Sequence, residues 1–213
     1  MNKKLSAVLI ILILATLACS TSMAPSTSPA ENIIFADDFS TQTNGWPTEG
    51  DGGNQYQYYE GGYRLYVGET GTDWVGGPEN EFPADVIIEV EATKLGGDDN
   101  NNFGVFCRAR DLGNMVVLQI SSDGFASIAY YQGGSLNYLV DWTSENAINE
   151  GSSTNAIRAE CIGTTFKIYA NNRLVASATD STFTSGGYIG LLAGTFDVAG
   201  TDILFDDFVV YRP

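Results

Sequence analysis

The chain has 213 residues, 44% of them hydrophobic and 12% aromatic, which excludes a disordered acidic tail. Ten lysines and arginines stand against 26 aspartates and glutamates, and a net charge of −16 excludes a protein that holds nucleic acid by neutralising phosphates. There is no histidine, so Ser-His-Asp catalysis, Cys-His catalysis and imidazole-ligated metal are excluded too.

The N-terminal segment reads as an address and a tether. Lys3 and Lys4 precede the almost wholly apolar run Leu5 to Leu17, and small residues follow. That order predicts a secretory signal over residues 1–18, and the run is short of the ~20 residues that span a bilayer comfortably. The string Ala15-Thr16-Leu17-Ala18-Cys19 resembles the bacterial lipobox, in which Cys19 is diacylated and becomes the new N-terminus. Thr16 departs from the commonest form, which has leucine there. An ordinary cleaved signal with a chance cysteine is the alternative. Residues 19–32 are rich in Ser, Thr and Pro, with nothing to bury, and read as a linker. Removing the signal takes away two lysines and no acid, so the anchor expected is the lipid rather than electrostatic adhesion to an anionic bilayer. Ser20 replaces the aspartate that marks inner-membrane retention in many Gram-negative bacteria. The expected place is the bacterial cell envelope, lipid-anchored and facing outside.

Residues 33–213 are enough for one large core. Short β-rich runs recur, each bounded by Gly, Asn, Asp or Ser: Ile33–Phe39, Tyr63–Val67, Val86–Leu95, Phe103–Arg110, Val116–Ser121, Ser127–Tyr131, Leu136–Trp142, Ala156–Ile162, Thr165–Ala170, Leu174–Ala178, Tyr188–Leu192 and Asp202–Tyr211. Asn171-Asn172 between two of them is a hairpin signal. No stretch carries a helical period, so the domain is predicted all-β, an antiparallel sandwich or barrel. Alternation places Val86, Ile88, Val90 and Ala92 on one face and Glu89 and Glu91 on the other. The same rule puts Cys107 beside Val105 and Cys161 beside Ala159 on core faces, with Arg108, Arg110, Arg158 and Glu160 facing out. A Cys107–Cys161 disulfide is the expectation for an exported protein; two buried thiols are the alternative.

Several strings carry a resemblance that covers nearly the whole domain. They are Phe35-Ala36-Asp37-Asp38-Phe39 with Gly45-Trp46, the run from Asn102 to Arg108, Ile120 to Gly124, Ile157 to Gly163, Phe166 to Asn172, Gly187 to Leu191 and Phe205 to Val210. Together they resemble bacterial surface lipoproteins with a concanavalin A-like lectin/glucanase jelly roll. The last group also resembles the laminin-G-like and 3-keto-disaccharide-hydrolase-like branches of that fold. The resemblance implies a two-sheet antiparallel jelly-roll sandwich; the group includes lectins, glycanases and structural modules, so function has to come from the site.

Three kinds of site are candidates. Glu89 and Glu91, about 7 Å apart along a strand, are the nearest thing to a glycosidase pair, but the related endoglucanases carry a longer Glu-x-Asp-x-x-Glu pattern that is missing here. A solvated strand face explains both glutamates, and no catalytic residue is assigned. For sugar binding, Tyr130, Tyr131, Tyr138 and Trp142 cluster on strands expected to build a concave face. Arg108, Arg110, Gln119 and Glu160 are expected as outward polar groups beside them, and Tyr56, Tyr58, Tyr59 and Trp74 as a mobile aromatic loop. Arg108, Arg110, Tyr130, Tyr131, Trp142 and Glu160 form the predicted ligand patch. For metal, Asp37 and Asp206 fall on the apolar parity of the terminal strands, where a carboxylate needs a cation or dense hydrogen bonding. Structural calcium is the one cofactor considered, with a bulge or an arginine partner as the alternative. The loop Gly96 to Asn102 is a second oxygen-rich stretch that reads better as a solvated turn. The expected function is a non-catalytic, lipid-anchored module for carbohydrate or another extracellular polymer, with no nucleic-acid partner. The alternatives are a structural or protein-interaction domain of a surface assembly and a glycoside hydrolase.

Overall fold

The computed structural model describes residues 32–213 apart from Gly52. The expected signal, the lipidation site Cys19 and the linker up to Glu31 lie outside the described residues. Among the described residues no helix is long and apolar enough to cross a membrane.

Among the described residues fifteen strands follow one another: β1 (Ile33–Asp37), β2 (Gly50–Asp51), β3 (Asn54–Tyr59), β4 (Gly62–Val67), β5 (Asp73–Gly76), β6 (Val86–Gly96), β7 (Asn102–Asp111) and β8 (Asn114–Ser121). They continue as β9 (Phe125–Gln132), β10 (Ser135–Ser144), β11 (Thr154–Ile162), β12 (Thr165–Ala170), β13 (Arg173–Thr179), β14 (Tyr188–Gly194) and β15 (Thr201–Tyr211). One sheet runs β13-β12-β11-β6-β15-β4-β3-β2, and β1 shares with β4 the remaining edge of the long strand β15. The second sheet runs β10-β9-β8-β7-β14-β5. Every pairing between these strands is antiparallel, so the expected two-sheet all-β sandwich is the fold. Each run predicted from alternation contains a strand. The Tyr56 to Tyr59 stretch and Trp74 also lie in strands, β3 and β5, rather than in a mobile loop. Asn171 and Asn172 both adopt positive φ, 52° and 65°, as the β12–β13 hairpin requires.

The core lies between the sheets and holds Tyr63, Leu65, Val86, Ile88, Phe103, Val105, Leu118, Ile120, Phe166, Phe205 and Phe208, all fully buried. Cys107 of β7 and Cys161 of β11 are joined across it, a disulfide that ties one sheet to the other. Its sequence separation of 54 gives about 4 kcal/mol of stabilisation in the chain-entropy account.

Two bulges overturn parts of the alternation reading. In β7, Arg108 has φ 55° and pairing with β8 slips between Cys107 and Asp111, so the next residues change faces. In β15, pairing with β6 slips between Asp206 and Val209, with Asp207 at φ 51°. Ile203 and Phe205 point inward before that slip, Phe208 and Val210 after it. Asp206 therefore belongs with the outward parity of Asp202 and Leu204, not with the core.

Candidate functional site

The outer face of the second sheet is hollow, and one hydrogen bond measures how strongly it curls. Tyr131 of β9 donates to Asp73 Oδ2 of β5 at 2.6 Å, although β8, β7 and β14 lie between those strands. On a flat sheet four strand steps separate the two backbones by ~19 Å, too far for a tyrosine and an aspartate to bridge. The face must be concave. A second apolar cluster of Phe106, Ala109, Met115, Val117, Ala129 and Leu192 fills the hollow beneath this bridge, with Val75 and Tyr131 packed against it. Gly190 leaves room for it: a Cβ there would lie 2.8 Å from a ring carbon of Phe106.

Polar groups converge beside the bridge. Asn102 Nδ2, at the start of β7, donates to Asp73 Oδ1 at 3.0 Å and to Gln119 Oε1 of β8 at 2.9 Å. Thr195, just past β14, donates its hydroxyl to the Glu69 carbonyl and so fixes the loop that leads into β5. These residues, with Leu136, Tyr138 and Phe196 as wall, line a cavity of about 200 Å³. Tyr138 is 43% exposed. Trp142 braces that wall from behind: its Nε1 donates to the Tyr138 hydroxyl at 3.3 Å, and its ring meets Phe196 edge-on at 5.9 Å. A second cavity of about 370 Å³ lies on the other side of the bridge, lined by Tyr56, Trp74, Val75, Leu112 and Met115. The two share Gly71, Thr72, Asp73 and Tyr131, and together they form one groove. Burial raises the Tyr131 phenol above the ordinary tyrosine range, and the adjacent Asp73 carboxylate raises it further. Among the described residues, Asp73 is the one carboxylate lining either cavity, and no lysine or arginine lines them.

Of the predicted ligand patch, Tyr131 lines this groove, Trp142 lines neither cavity but supports the wall residues Tyr138 and Phe196, and the others do not reach it. Arg108 is 2% exposed. The bulge turns its guanidinium to the Ala84 carbonyl at 2.9 Å, the Phe183 carbonyl at 2.6 Å and Asp85 at 3.3 Å, 5.0 Å over the Phe166 ring. It ties together the loops before β6 and β14, and burial pulls its pKa down against the charge of Asp85. Arg110 is exposed near the end of β7, its guanidinium 5.5 Å from the Phe183 ring. Tyr130 packs against the core and meets Phe183 edge-on at 6.0 Å. Glu160 sits on β11 of the other sheet, facing away from the groove. It is paired with Arg158 at 3.0 Å and Lys167 at 3.6 Å. The expected Arg108–Arg110–Glu160 patch therefore does not form: the disulfide flanking these residues joins opposite sheets, so outward on one is not outward on the other. Glu89 and Glu91 share the outer face of that other sheet, where Glu89 pairs with Arg158.

Asp37 is buried as expected, 5% exposed, with Oδ1 accepting from the Phe39 amide at 2.8 Å and Oδ2 without a partner among the described residues. Asp206, expected on the apolar parity of its strand, is on the opposite side of the sheet. Partial burial raises its pKa, and Asp207 and Asp38 add to the shift. Among the described residues no three His, Cys, Asp or Glu side chains are grouped to hold a metal ion.

Sequence reasoning identified Gln119 as an outward polar group but missed Asp73 and Asn102. Asp73 precedes Trp74 in a four-residue strand too short for its alternation to be read. Asn102 closes an Asn-rich stretch that reads as a solvated turn, although it is the first residue of β7.

No protein-family model and no curated protein matches the chain. Solved structures do. The carbohydrate-binding module CBM66 from Bacillus subtilis superposes with a TM-score of 0.63 at 19% identity, over 80% of this chain and 98% of its own. A Bacillus licheniformis β-glucanase gives 0.60 at 14% identity, over 84% and 97%. A Bacillus subtilis protein of unknown function with a galectin-like fold gives 0.58 at 12%, over 85% and 96%. At these identities the likeness is one of fold, and the fold is the concanavalin A-like jelly-roll sandwich.

Proposed function

We propose that this chain is the carbohydrate-binding domain of a bacterial surface lipoprotein and that its concave groove holds a neutral sugar without cleaving it. The observation that carries the reading is the placement of Asp73. Its carboxylate is oriented by Tyr131 and Asn102 on the groove floor, where it can accept from sugar hydroxyls, beside the exposed ring of Tyr138. Aromatic faces and planar polar groups are what a sugar needs, since its hydroxyls point sideways and its ring C–H groups lie above and below. A glycosidase mechanism requires two carboxylates across the scissile bond, and the groove lining holds one. The absence of cationic side chains from that lining among the described residues supports a neutral ligand, and the net charge of −16 speaks against nucleic acid as a partner.

In this reading Cys19 carries the lipid, and the Ser/Thr/Pro linker holds the domain off the outer surface of the envelope. A glycan array probed with the purified protein tests the function, followed by a reducing-sugar assay on each polymer that binds. The expected result is binding to neutral glycans with no sugar release. Release would make the protein a hydrolase, and an array blank for all glycans would overturn the reading. Detergent-phase partitioning that persists in Cys19→Ala would overturn the anchor.

A further inference from the structure

We propose that the groove's ligand is a sugar bearing an apolar substituent, an alkyl, acyl or aryl group, and that the substituent fills the larger cavity beyond the Tyr131–Asp73 bridge. This rests on the carbohydrate reading above and narrows it. Because both cavities share Asp73 and Tyr131, a sugar held at Asp73 from the polar side has the other cavity next to it.

The two cavities differ in chemistry. The smaller offers Asn102, Gln119 and Thr195. The larger replaces them with Val75, Leu112 and Met115, beside the stacked rings of Tyr56 and Trp74, whose centroids are 5.5 Å apart. A second sugar unit there could stack on the Tyr56 and Trp74 rings, but the hydroxyls it turned towards Val75, Leu112 and Met115 would lose water without gaining a partner. An alkyl chain or aryl ring would lose nothing and gain by leaving water. At about 370 Å³ the cavity lies in the size range of small-ligand sites.

Leu112 is the most telling residue. It is 77% exposed at the β7–β8 turn, lining the cavity without a place in either apolar cluster. The turn that presents it is nonetheless held firmly. Asp111 accepts from the Gly113 amide and from Asn114, each at 2.8 Å. The β9–β10 turn braces it from the side, with Gly134 N donating to the Gly113 carbonyl at 3.0 Å and Gly133 N to Asn114 Oδ1 at 3.1 Å. A leucine fixed in water gains nothing until an apolar group lies beneath it.

The test is calorimetric titration of the purified protein with the methyl, hexyl and phenyl glycosides of common neutral hexoses. For a hexose that binds, the hexyl and phenyl forms should bind roughly tenfold or more tighter than the methyl form. Leu112→Ser should bring the hexyl-to-methyl ratio down towards one without lowering the melting temperature. If methyl glycosides bind and the longer forms bind no tighter, the apolar assignment is wrong and the sugar site stands. A ratio that survives Leu112→Ser overturns the assignment of the cavity in the same way. Hexyl and phenyl forms that bind regardless of the hexose would overturn the carbohydrate reading and this proposal together, as would no binding at all.

Discussion

Asn102 reaches Asp73 at 3.0 Å across a strand that puts nothing between them. The residue in the gap is Gly194 of β14, which pairs with Asp73 on one side and lies against the Asn102 amide on the other. A Cβ on Gly194 would lie 1.9 Å from Asp73 Oδ1 and 2.5 Å from Asn102 Oδ1. Gly194→Ala should therefore push the two side chains apart, cost about 1–3 kcal/mol of stability and abolish ligand binding. Thermal melts with paired titrations check this; a variant that binds as the wild type does would show that the Asn102–Asp73 contact is not needed.

Arg108 has the opposite profile, buried and remote from the groove. Replacing it with methionine keeps much of the volume but strands the Ala84 and Phe183 carbonyls and leaves Asp85 without its cation. A loss of roughly 2–4 kcal/mol is expected in denaturant unfolding, with ligand affinity intact at a temperature where the variant is folded. A stable Arg108→Met that no longer binds would return Arg108 to the site.

Tyr131 and Tyr63 give the protein an alkaline limit. Both phenols are raised above their ordinary range chiefly by burial, so the folded state keeps their protons when the unfolded chain gives them up. Their stabilisation is complete below a pH of about 10 and declines as pH rises beyond it. Urea unfolding between pH 9 and 12 should show that decline, and it should be shallower in Tyr131→Phe. An unchanged slope in Tyr131→Phe would mean that its hydroxyl is solvated.

Alternation located the strands and the residues that pack between the sheets, and it placed Cys107 and Cys161 correctly, because a half-buried strand must alternate. It failed where the backbone stops alternating. The Arg108 bulge sends a charged side chain inward, and the slip after Asp206 turns Phe208 inward while Asp206 stays outward with Asp202 and Leu204. Neither bulge has a sequence mark, since the positive φ falls on Arg and Asp rather than on glycine. The groove was less legible still. Its defining contact joins β5 to β9 over three intervening strands, and the curl that permits it is a property of the whole sheet. Tyr131 and Trp142 were recognisable as aromatics on the right strands, whereas Asp73 becomes meaningful only once Tyr131 and Asn102 are seen to converge on it.

The central claim is that Asp73 and the aromatic wall bind sugar, and isothermal titration of the best array glycan against the wild type, Asp73→Ala and Tyr138→Ala tests it most directly. Tyr138 is exposed on an edge strand, so its loss should leave the melting temperature unchanged while weakening binding roughly tenfold to hundredfold. Asp73→Ala should weaken it at least about tenfold. Wild-type affinity in both folded variants would contradict the account and move the binding site off the concave face.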